Sequence, residues 1–412
     1  MYLSKRNLNS KPYLSIVVTS RNDNHGGNML NRMQLFVNAL TEQAEHFKLP
    51  CELILVEWNP PPGTLSLDRA LTILPNRNYF TIRIIRVPSS VHKKLDNAKK
   101  LPIFQMLAKN VGIRRAQGDY ILATNMDILF SNETISFLSE RRLDTKYMYR
   151  LDRIDADSQI PAASLNKQLE YCRNHVLRVN ERGKTRVFKW YWQYRFYKHV
   201  MARISKDNFL SRSKSWQALT TIWNIVWHFI KDFFPYFPPR KGQLTIGEIK
   251  PFIMRRVFLL RKLGKILRKM LLGQIDYRYF LRGEINLHTN ACGDFTLLSR
   301  DSWLRVRGYP EMPIYSFHLD SLLCYLAHFA GNKELVLKSP MEIYHIEHSY
   351  GPSWSFAKVQ NIFRRLDREK IPYLKNRDLR GYLNKMGRSN KPIIFNTPNW
   401  GLAGLRLKET KF

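Results

Sequence analysis

The sequence predicts an α/β fold in which a mostly parallel central sheet is flanked by helices and interrupted by a helical, basic and aromatic insertion. Three observations lead to this prediction. Up to about residue 153, short apolar runs alternate with segments of helical periodicity; between about 154 and 285 the alternation stops; from 286 onward compact apolar segments return. Strands that alternate with helices are typical of crossover units, and crossover units build parallel sheets.

The first three predicted strands are apolar runs that end at polar or proline-rich turns. They cover residues 13–19, 52–57 and 80–87, and a helix over about 28–47 connects the first two. The turn after the first strand, residues 20–27, is polar and ends in two glycines. This order predicts that the three strands lie parallel in one sheet.

The segment 107–130 carries the strongest functional signal. A helical repeat breaks at Gln117-Gly118-Asp119, and an apolar strand at 120–124 then ends at Asn125-Met126-Asp127. Open α/β sheets bind ligands outside the carboxyl ends of their strands. A carboxylate there can hold a hard cation, which in turn can hold a diphosphate. The pattern alone also fits a solvated loop Asp after a core strand.

Composition restricts the partners of the chain but not its fold. The 412 residues include 67 Lys and Arg against 33 Asp and Glu, a net charge of +34, which favours nucleic acid, anionic lipid or phosphorylated substrates. Four scattered cysteines without metal-ligand spacing predict reduced, buried thiols in a cytosolic setting. We find no signal-peptide core and no uncharged apolar window of about 20 residues. We therefore expect a soluble or peripheral protein.

The insertion contains two segments of unusual composition. Residues 216–230 are uncharged, and Trp216, Trp223 and Trp227 share one helical face, as expected for a helix at headgroup level. Eight Lys and Arg residues and no acid lie between 250 and 269. This basic amphipathic pattern predicts contact with an anionic membrane surface, and no nucleic-acid module is recognisable. A helical subdomain that packs its Trp face inward is the alternative.

Five segments, in this order and spacing, resemble the GT-A fold glycosyltransferases, particularly family 2-like enzymes and the galactosyltransferase-like module of chondroitin polymerases. The segments are SIVVTSRND (15–23), LILVEWN (53–59), AKNVGIRRAQGDYILATNMD (108–127), GDFTLLSRDSWLRVRGYPE (293–311) and HLD (318–320). The resemblance covers roughly residues 13–153 and 286–354. It implies a Rossmann-like GT-A fold with a nucleotide-sugar-binding half at 1–153, an insertion at 154–285 for membrane or acceptor contact, an acceptor and catalytic half at 286–375, and a tail at 376–412.

The resemblance also implies which residues bind the donor and its metal. Nucleotide contacts would come from the first turn and the end of the second strand, and donor contacts from a pair on the following helix: Ser20, Arg21, Glu57, Lys109 and Asn110. Glu57 departs from the usual Asp. In the metal motif, Asn125 replaces the first Asp and would donate to sugar or phosphate, while Asp127 would bind Mn²⁺ or Mg²⁺. A second ligand would be His345 or His348; we favour His348, which lies nearer the Gly351-Pro352 turn.

An inverting transfer needs a base that deprotonates the acceptor hydroxyl. By resemblance this base is Asp320, at the start of an apolar helix, with Asp294 as its rival. A helix cap is the alternative role of Asp320. The implied activity is transfer from a UDP- or GDP-sugar to a glycan or lipid-linked acceptor, as in polysaccharide biosynthesis, at the cytoplasmic face of a membrane. A nucleotidyltransferase on a related sheet and a non-catalytic polyanion-binding or nucleic-acid-binding protein are the alternatives.

Overall fold

The computed structural model describes residues 11–75, 77–188, 194, 285–348 and 356–412. In this part of the chain the protein is α/β, with one sheet of eight strands and a second sheet of five. The predicted membrane-contacting segments, 216–230 and 250–269, lie outside the described residues. Among the residues that are described, no helix is long and apolar enough to cross a bilayer. The four cysteines are free and buried, as predicted.

The amino-terminal third supplies the parallel centre of the large sheet. Its strands are β1 (Leu14–Ser20), β2 (Cys51–Trp58), β3 (Phe80–Val87) and β4 (Tyr120–Ala123). The helices between them are α1 (Met29–His46), α2 (Leu67–Ala70), α3 (Ser89–His92) and α4 (Gln105–Arg115). β1 pairs in parallel with β2 and β4, and β2 pairs in parallel with β3. All four strands lie within one residue of their predicted ends.

The remaining elements run through the region predicted as an insertion and on to the carboxyl terminus. The segment up to residue 187 contains β5 (Ile128–Phe130), α5 (Asn132–Ser139), β6 (Tyr147–Arg150), β7 (Arg153–Ala156), α6 (Leu165–Asn174), β8 (Val176–Glu181) and β9 (Lys184–Val187). After a 3-10 turn at Cys292–Asp294 come β10 (Thr296–Ser299), α7 (Arg300–Val306), α8 (Leu319–Phe329), β11 (Lys333–Val336), β12 (Ile343–Ile346), α9 (Phe356–Arg368), α10 (Asn376–Ser389) and β13 (Lys408–Lys411).

The large sheet is mixed, but six of its eight strands run in the same direction, so the prediction of a mostly parallel sheet holds for it. Its order is β11-β6-β10-β4-β1-β2-β3-β13. β10 runs antiparallel to both of its neighbours, β4 and β6, and β13 runs antiparallel to β3. Alternation of strands and helices detects crossover units only, so strands that enter the sheet from distant parts of the chain leave no such signal.

The second sheet extends past residue 153, the predicted boundary between the first half of the fold and the helical insertion. Its order is β5-β12-β7-β8-β9. β12 lies between β5 and β7, antiparallel to the first and parallel to the second. Three of these strands, β7, β8 and β9, come from the beginning of the predicted insertion, so sheet structure reaches at least Val187.

The tail predicted at 376–412 is part of the fold. β13 forms the edge of the large sheet, and Trp400 is 1% exposed. The guanidinium of Arg115, at the end of α4, donates to the carbonyls of Gly401 and Leu402 at 2.6 and 2.9 Å. The polar composition of this segment did not indicate that it packs on the rest of the protein, because only a few of its residues face inward.

Close packing of α4 on the sheet positions the residues that follow β4. An ideal Cβ at Gly112 would lie 2.5 Å from the side chain of Val17 on β1, so only glycine allows this approach. At the end of the helix, the amide of Gly118 donates to the hydroxyl of Ser15 at 2.8 Å. These contacts align β4 beside β1, and the loop at 124–127 therefore emerges at the carboxyl edge of the parallel strands.

Candidate metal centre and adjoining polar cluster

Pairing in the second sheet brings together three side chains that are far apart in the sequence. Asp127 lies in the loop between β4 and β5, His345 is on β12 opposite Ile128 of β5, and His348 follows β12. Asp127 Oδ2 lies 3.1 Å from His348 Nε2 and 3.7 Å from His345 Nε2. Ligand atoms of the three residues all lie within 4.8 Å of one another. The two histidines that the sequence offered as alternatives thus occur in one cluster.

The donor set of this cluster fits a divalent cation. Asp127 Oδ1 is buried and has no hydrogen-bond partner among the described residues. Burial opposes ionisation of Asp127, but His345 and His348 outweigh it and lower the pKa of this carboxyl well below its usual range. A carboxylate with an unused buried oxygen beside two imidazoles is a typical arrangement for a metal ion. We call Asp127, His345 and His348 the His₂Asp cluster.

Asp155 on β7 orients one ring of this cluster. Asp155 is in direct register with His345, whose Nδ1 donates to Asp155 Oδ1 at 2.6 Å. The other oxygen of Asp155 accepts from Arg178 Nε and Asn180 Nδ2, each at 2.7 Å. Because Nδ1–H of His345 donates to Asp155, His345 presents Nε2 to Asp127. The sequence did not point to Asp155, although it lies two residues from Arg153 and therefore on the same face of β7.

The charges around His345 act in opposite directions. Burial and the nearby Arg153 lower the pKa of His345, but Asp127 and Asp155 outweigh them and raise it to about 9. Burial also opposes ionisation of Asp155, yet Arg153 and His345 hold the pKa of this carboxyl well below its usual range. Without a cation, the two carboxylates therefore favour the protonated form of His345. A bound metal ion would replace that proton.

Arg153 connects the His₂Asp cluster to the turn at Cys292–Asp294. Its Nε lies 3.1 Å from Asp155 Oδ1, and its Nη1 donates to Asp294 Oδ2 at 2.7 Å. The other oxygen of Asp294 accepts from the amide of Asn125. Asn125 also accepts from Gln105 at 3.1 Å, so its amide is engaged within the protein rather than directed at a ligand.

Lys109 and Asp320 converge on Gly293 from two helices. Lys109 is fully buried on α4, and its Nζ donates to the carbonyl of Gly293 at 2.7 Å. The amide of Gly293 donates to Asp320 Oδ2 at 3.0 Å. Burial lowers the pKa of Lys109 to about 8, although Asp294, Asp320 and Asp127 favour its charged form. Lys109 is therefore not the helix-surface lysine that its position in the sequence also allowed.

Asp320 has a capping contact as well as its contact with Gly293. Its Oδ1 accepts from the amide of Ser321 at 2.8 Å, in the first turn of α8. Asp320 is half-buried, whereas Asp294 is 3% exposed. Of the two predicted base residues, Asp320 is therefore the one whose carboxylate is accessible to a substrate hydroxyl from solvent.

Glu57 and Asn110 are hydrogen-bonded to other parts of the protein, which leaves their side chains little capacity to bind a ligand. Glu57 is completely buried, and its oxygens accept from the amide of Leu67 at 2.8 Å and from Arg86 Nε at 2.9 Å. Asn110, also buried, donates to the carbonyl of Tyr309 and accepts from the amide of Tyr309, both at 2.8 Å. Glu57 thus holds the start of α2, and Asn110 holds the turn after α7.

Ser20 and Arg21 lie at the end of β1, as predicted, but they face different surroundings. Ser20 is 1% exposed, and its hydroxyl has no partner among the described residues. Arg21 donates to the carbonyl of Pro102 at 3.0 Å, and its Nε lies 3.3 Å from Asp23. The guanidinium of Arg21 therefore already has an acidic partner.

The turn between β1 and α1 packs directly on the His₂Asp cluster. Gly26 has φ = 68°, and an ideal Cβ there would lie 2.4 Å from His348 Nδ1. Glycine is needed at this position for both reasons. Beside this contact lies a cavity of about 500 Å³, lined by the turn, by α1, by residues 158–160 and by the end of β12.

Together, the described residues include a side-chain cluster that could hold a metal ion, a half-buried carboxylate and a cavity of ligand size. This arrangement suits a polyanionic substrate that is held through a metal ion. No protein-family model matches the chain, and no protein of curated function is significantly similar to it.

Proposed function

We propose that the chain is a metal-dependent GT-A glycosyltransferase that moves a sugar, with inversion, from a UDP- or GDP-sugar to a glycan or lipid-linked acceptor at the cytoplasmic face of a membrane. The observation that carries the proposal is the His₂Asp cluster, in which Asp127 follows strand β4 and its Oδ1 has no hydrogen-bond partner in the described part of the chain. The position agrees with the rule that open α/β sheets bind ligands at the carboxyl ends of their strands. The antiparallel strand β10 beside β4 is compatible with the fold that the resemblance implies.

The metal ion would be held by Asp127, His345 and His348. Mg²⁺ prefers an octahedron of oxygen ligands, whereas two imidazoles suit a transition ion better. Of the two cations that the resemblance implies, the donor set favours Mn²⁺. When bound, the ion would neutralise charge on the leaving diphosphate.

Asp320 is the better candidate for the base. A general base has to reach the hydroxyl proton of the acceptor, and Asp320 is half-buried, with backbone amides as its two hydrogen-bond donors. Both oxygens of the buried Asp294 are already taken by Arg153 and Asn125. Asp294 would then position the loop around Gly293, which links Asp320 to Lys109.

A panel of UDP- and GDP-sugars, incubated with the full chain and Mn²⁺, tests the proposal. We expect release of nucleoside diphosphate, loss of this release in EDTA, and loss in Asp127→Asn. The matched control is Asp119→Asn, an exposed carboxylate at the opposite end of β4.

Other outcomes would reject the proposal in distinct ways. Release of pyrophosphate would indicate a nucleotidyltransferase. Tight binding of nucleic acid without turnover of any sugar nucleotide would indicate a non-catalytic polyanion-binding protein. Turnover that EDTA and Asp127→Asn leave unchanged would contradict the role of the metal.

A further inference from the structure

The cavity beside the β1–α1 turn has the size of a ligand site. Its volume of about 500 Å³ is typical of pockets that hold small molecules. Polar walls come from the turn and from α1, and apolar walls come from Leu35, Ile160 and Ile346. His348 of the His₂Asp cluster also lines the cavity, so a ligand bound there adjoins the candidate metal centre.

Arg32 gives this cavity a positive charge. It forms no ion pair with an acidic side chain of the described residues, although Asp127 attracts it electrostatically. It lines the cavity and is only 5% exposed. Two of its donors bind the carbonyls of His25, at 2.7 Å, and of Gly27. Its Nε is buried and has no hydrogen-bond partner among the described residues. A buried guanidinium is costly unless an anion compensates it.

The backbone of the turn adds positive polarity to the same wall. Gly26, Gly27 and Asn28 are consecutive left-handed residues, with φ of 68°, 71° and 47°, and α1 begins directly after them. The side chain of Asn28 does not cap the helix, and the first turn contains no acidic residue. The side chain of Asn24 accepts from the amide of Met29 at 3.3 Å, but no acidic residue in the first turn offsets the dipole of this 18-residue helix, which begins near the buried guanidinium.

The carboxylate in the described part of the cavity wall is engaged within the protein. Glu347 is 2% exposed and forms an ion pair with Arg178, which also holds Asp155. Arg32, by contrast, forms no ion pair with an acidic side chain of the described residues, and its buried Nε has no hydrogen-bond partner among them.

We propose that this cavity binds a diphosphate group, with Arg32 and the amino end of α1 holding its oxygens beside the His₂Asp cluster. The identity of this group as the diphosphate of a sugar nucleotide rests on the proposed function; anion binding itself does not. The site differs from the one expected from the sequence, because Arg21 is paired with Asp23, while the buried Nε of Arg32 has no hydrogen-bond partner among the described residues.

Calorimetry with inorganic pyrophosphate tests the site on the full chain, in EDTA and in Mn²⁺. Arg32→Gln should weaken pyrophosphate binding about tenfold or more in both conditions, since a charge-assisted contact is lost. Arg32→Lys should restore part of the affinity. Arg69→Gln, which removes one exposed positive charge on α2, should change it less than about twofold.

A second variant keeps the test decisive if Arg32→Gln disturbs folding. Asn31 is an exposed residue of the cavity wall in the first turn of α1. Asn31→Asp should stabilise the helix through its dipole while it repels the anion, so thermal stability and pyrophosphate affinity should move in opposite directions. Asn38→Asp, an exposed change on the same helix outside the cavity lining, should leave the affinity unchanged.

The outcomes separate this site from the proposed activity. Pyrophosphate binding that requires Mn²⁺ and is equal in wild type, Arg32→Gln and Asn31→Asp would assign the anion to the metal alone and overturn the proposal. Arg32-dependent pyrophosphate binding without turnover of any sugar nucleotide would retain the anion site and reject the glycosyltransferase. Turnover with unchanged donor affinity in Arg32→Gln and Asn31→Asp would retain the glycosyltransferase and reject the anion site.

Discussion

His345 lies between two carboxylates, with Nδ1 2.6 Å from Asp155 Oδ1 and Nε2 3.7 Å from Asp127 Oδ2. The first distance is that of a hydrogen bond. The second is too long for one, and it leaves room for a metal ion that both His345 and Asp127 could bind. Asp155 is itself anchored by Arg178 and Asn180. The ring that faces Asp127 is therefore fixed from behind by a buried, fully engaged carboxylate.

Asp155→Asn should weaken Mn²⁺ binding by about 10–100-fold, because partners behind a metal-ligating histidine fix its orientation and raise its basicity. Calorimetric titration of Mn²⁺ into the folded variant measures this effect. Asp152→Asn is the matched control: Asp152 accepts from His288 at 2.7 Å in a similar pair that is not part of the His₂Asp cluster. Equal Mn²⁺ affinity in wild type and in a folded Asp155→Asn variant would contradict the positioning role.

Asp320→Asn should lower kcat by about 10²–10⁴-fold and leave the affinity for the donor unchanged. The amides of Gly293 and Ser321 donate to different oxygens of Asp320, and asparagine keeps one acceptor oxygen, so it can retain one of these two contacts. Thermal unfolding of the variant, measured alongside its activity, separates loss of the base from loss of the cap. Asp294→Asn, measured in parallel, should retain more activity. An inactive Asp294→Asn with an active Asp320→Asn would reverse the two assignments.

Lys109 should make the stability of the protein rise with pH above 8. Its pKa is lowered from 10.5 to about 8, chiefly by burial. Between these values the unfolded chain binds the proton and the native state does not, so the free energy of unfolding increases as pH rises. The increase should be on the order of 3 kcal/mol.

Chemical denaturation at pH 7 and pH 10 measures this contribution. Lys109→Met removes the titrating group, so this variant should show less of the increase than wild type. Lys94→Met, an exposed lysine, is the control and should behave as wild type does. Parallel pH dependence in Lys109→Met and wild type would exclude a contribution from Lys109.

Trp400→Ala should destabilise the protein by about 3–5 kcal/mol, since the ring is 1% exposed and its removal leaves a cavity. The guanidinium of Arg114 also lies 5.1 Å from the ring centroid, which adds a cation–π contact. Urea unfolding measures the change, with Phe412→Ala, whose ring is 38% exposed, as the control. Equal stability of Trp400→Ala and wild type would show that residues near the carboxyl terminus do not contribute to the core.

Local sequence patterns predicted the centre of the fold well. The strands β1 to β4 and the helix α1 are each apolar over one face or over their whole length, and their observed ends differ from the predicted ones by at most one residue. Asp127 was found for the same reason, because a polar residue directly after a buried strand is visible in the sequence. The same patterns did not reveal β13, whose residues Lys408–Lys411 are polar and pair at the sheet edge.

By itself, the sequence determined the α/β class, the parallel centre of the large sheet and the position of Asp127 at its carboxyl edge, since each depends on neighbouring residues. Only the tertiary structure decided which side chains surround Asp127. His345 and Asp155 meet because β12 inserts between β5 and β7, and Arg32 lines the cavity because α1 begins at a left-handed turn. Strand order and helix orientation are set by burial of the whole chain, and a short window of sequence does not contain that information.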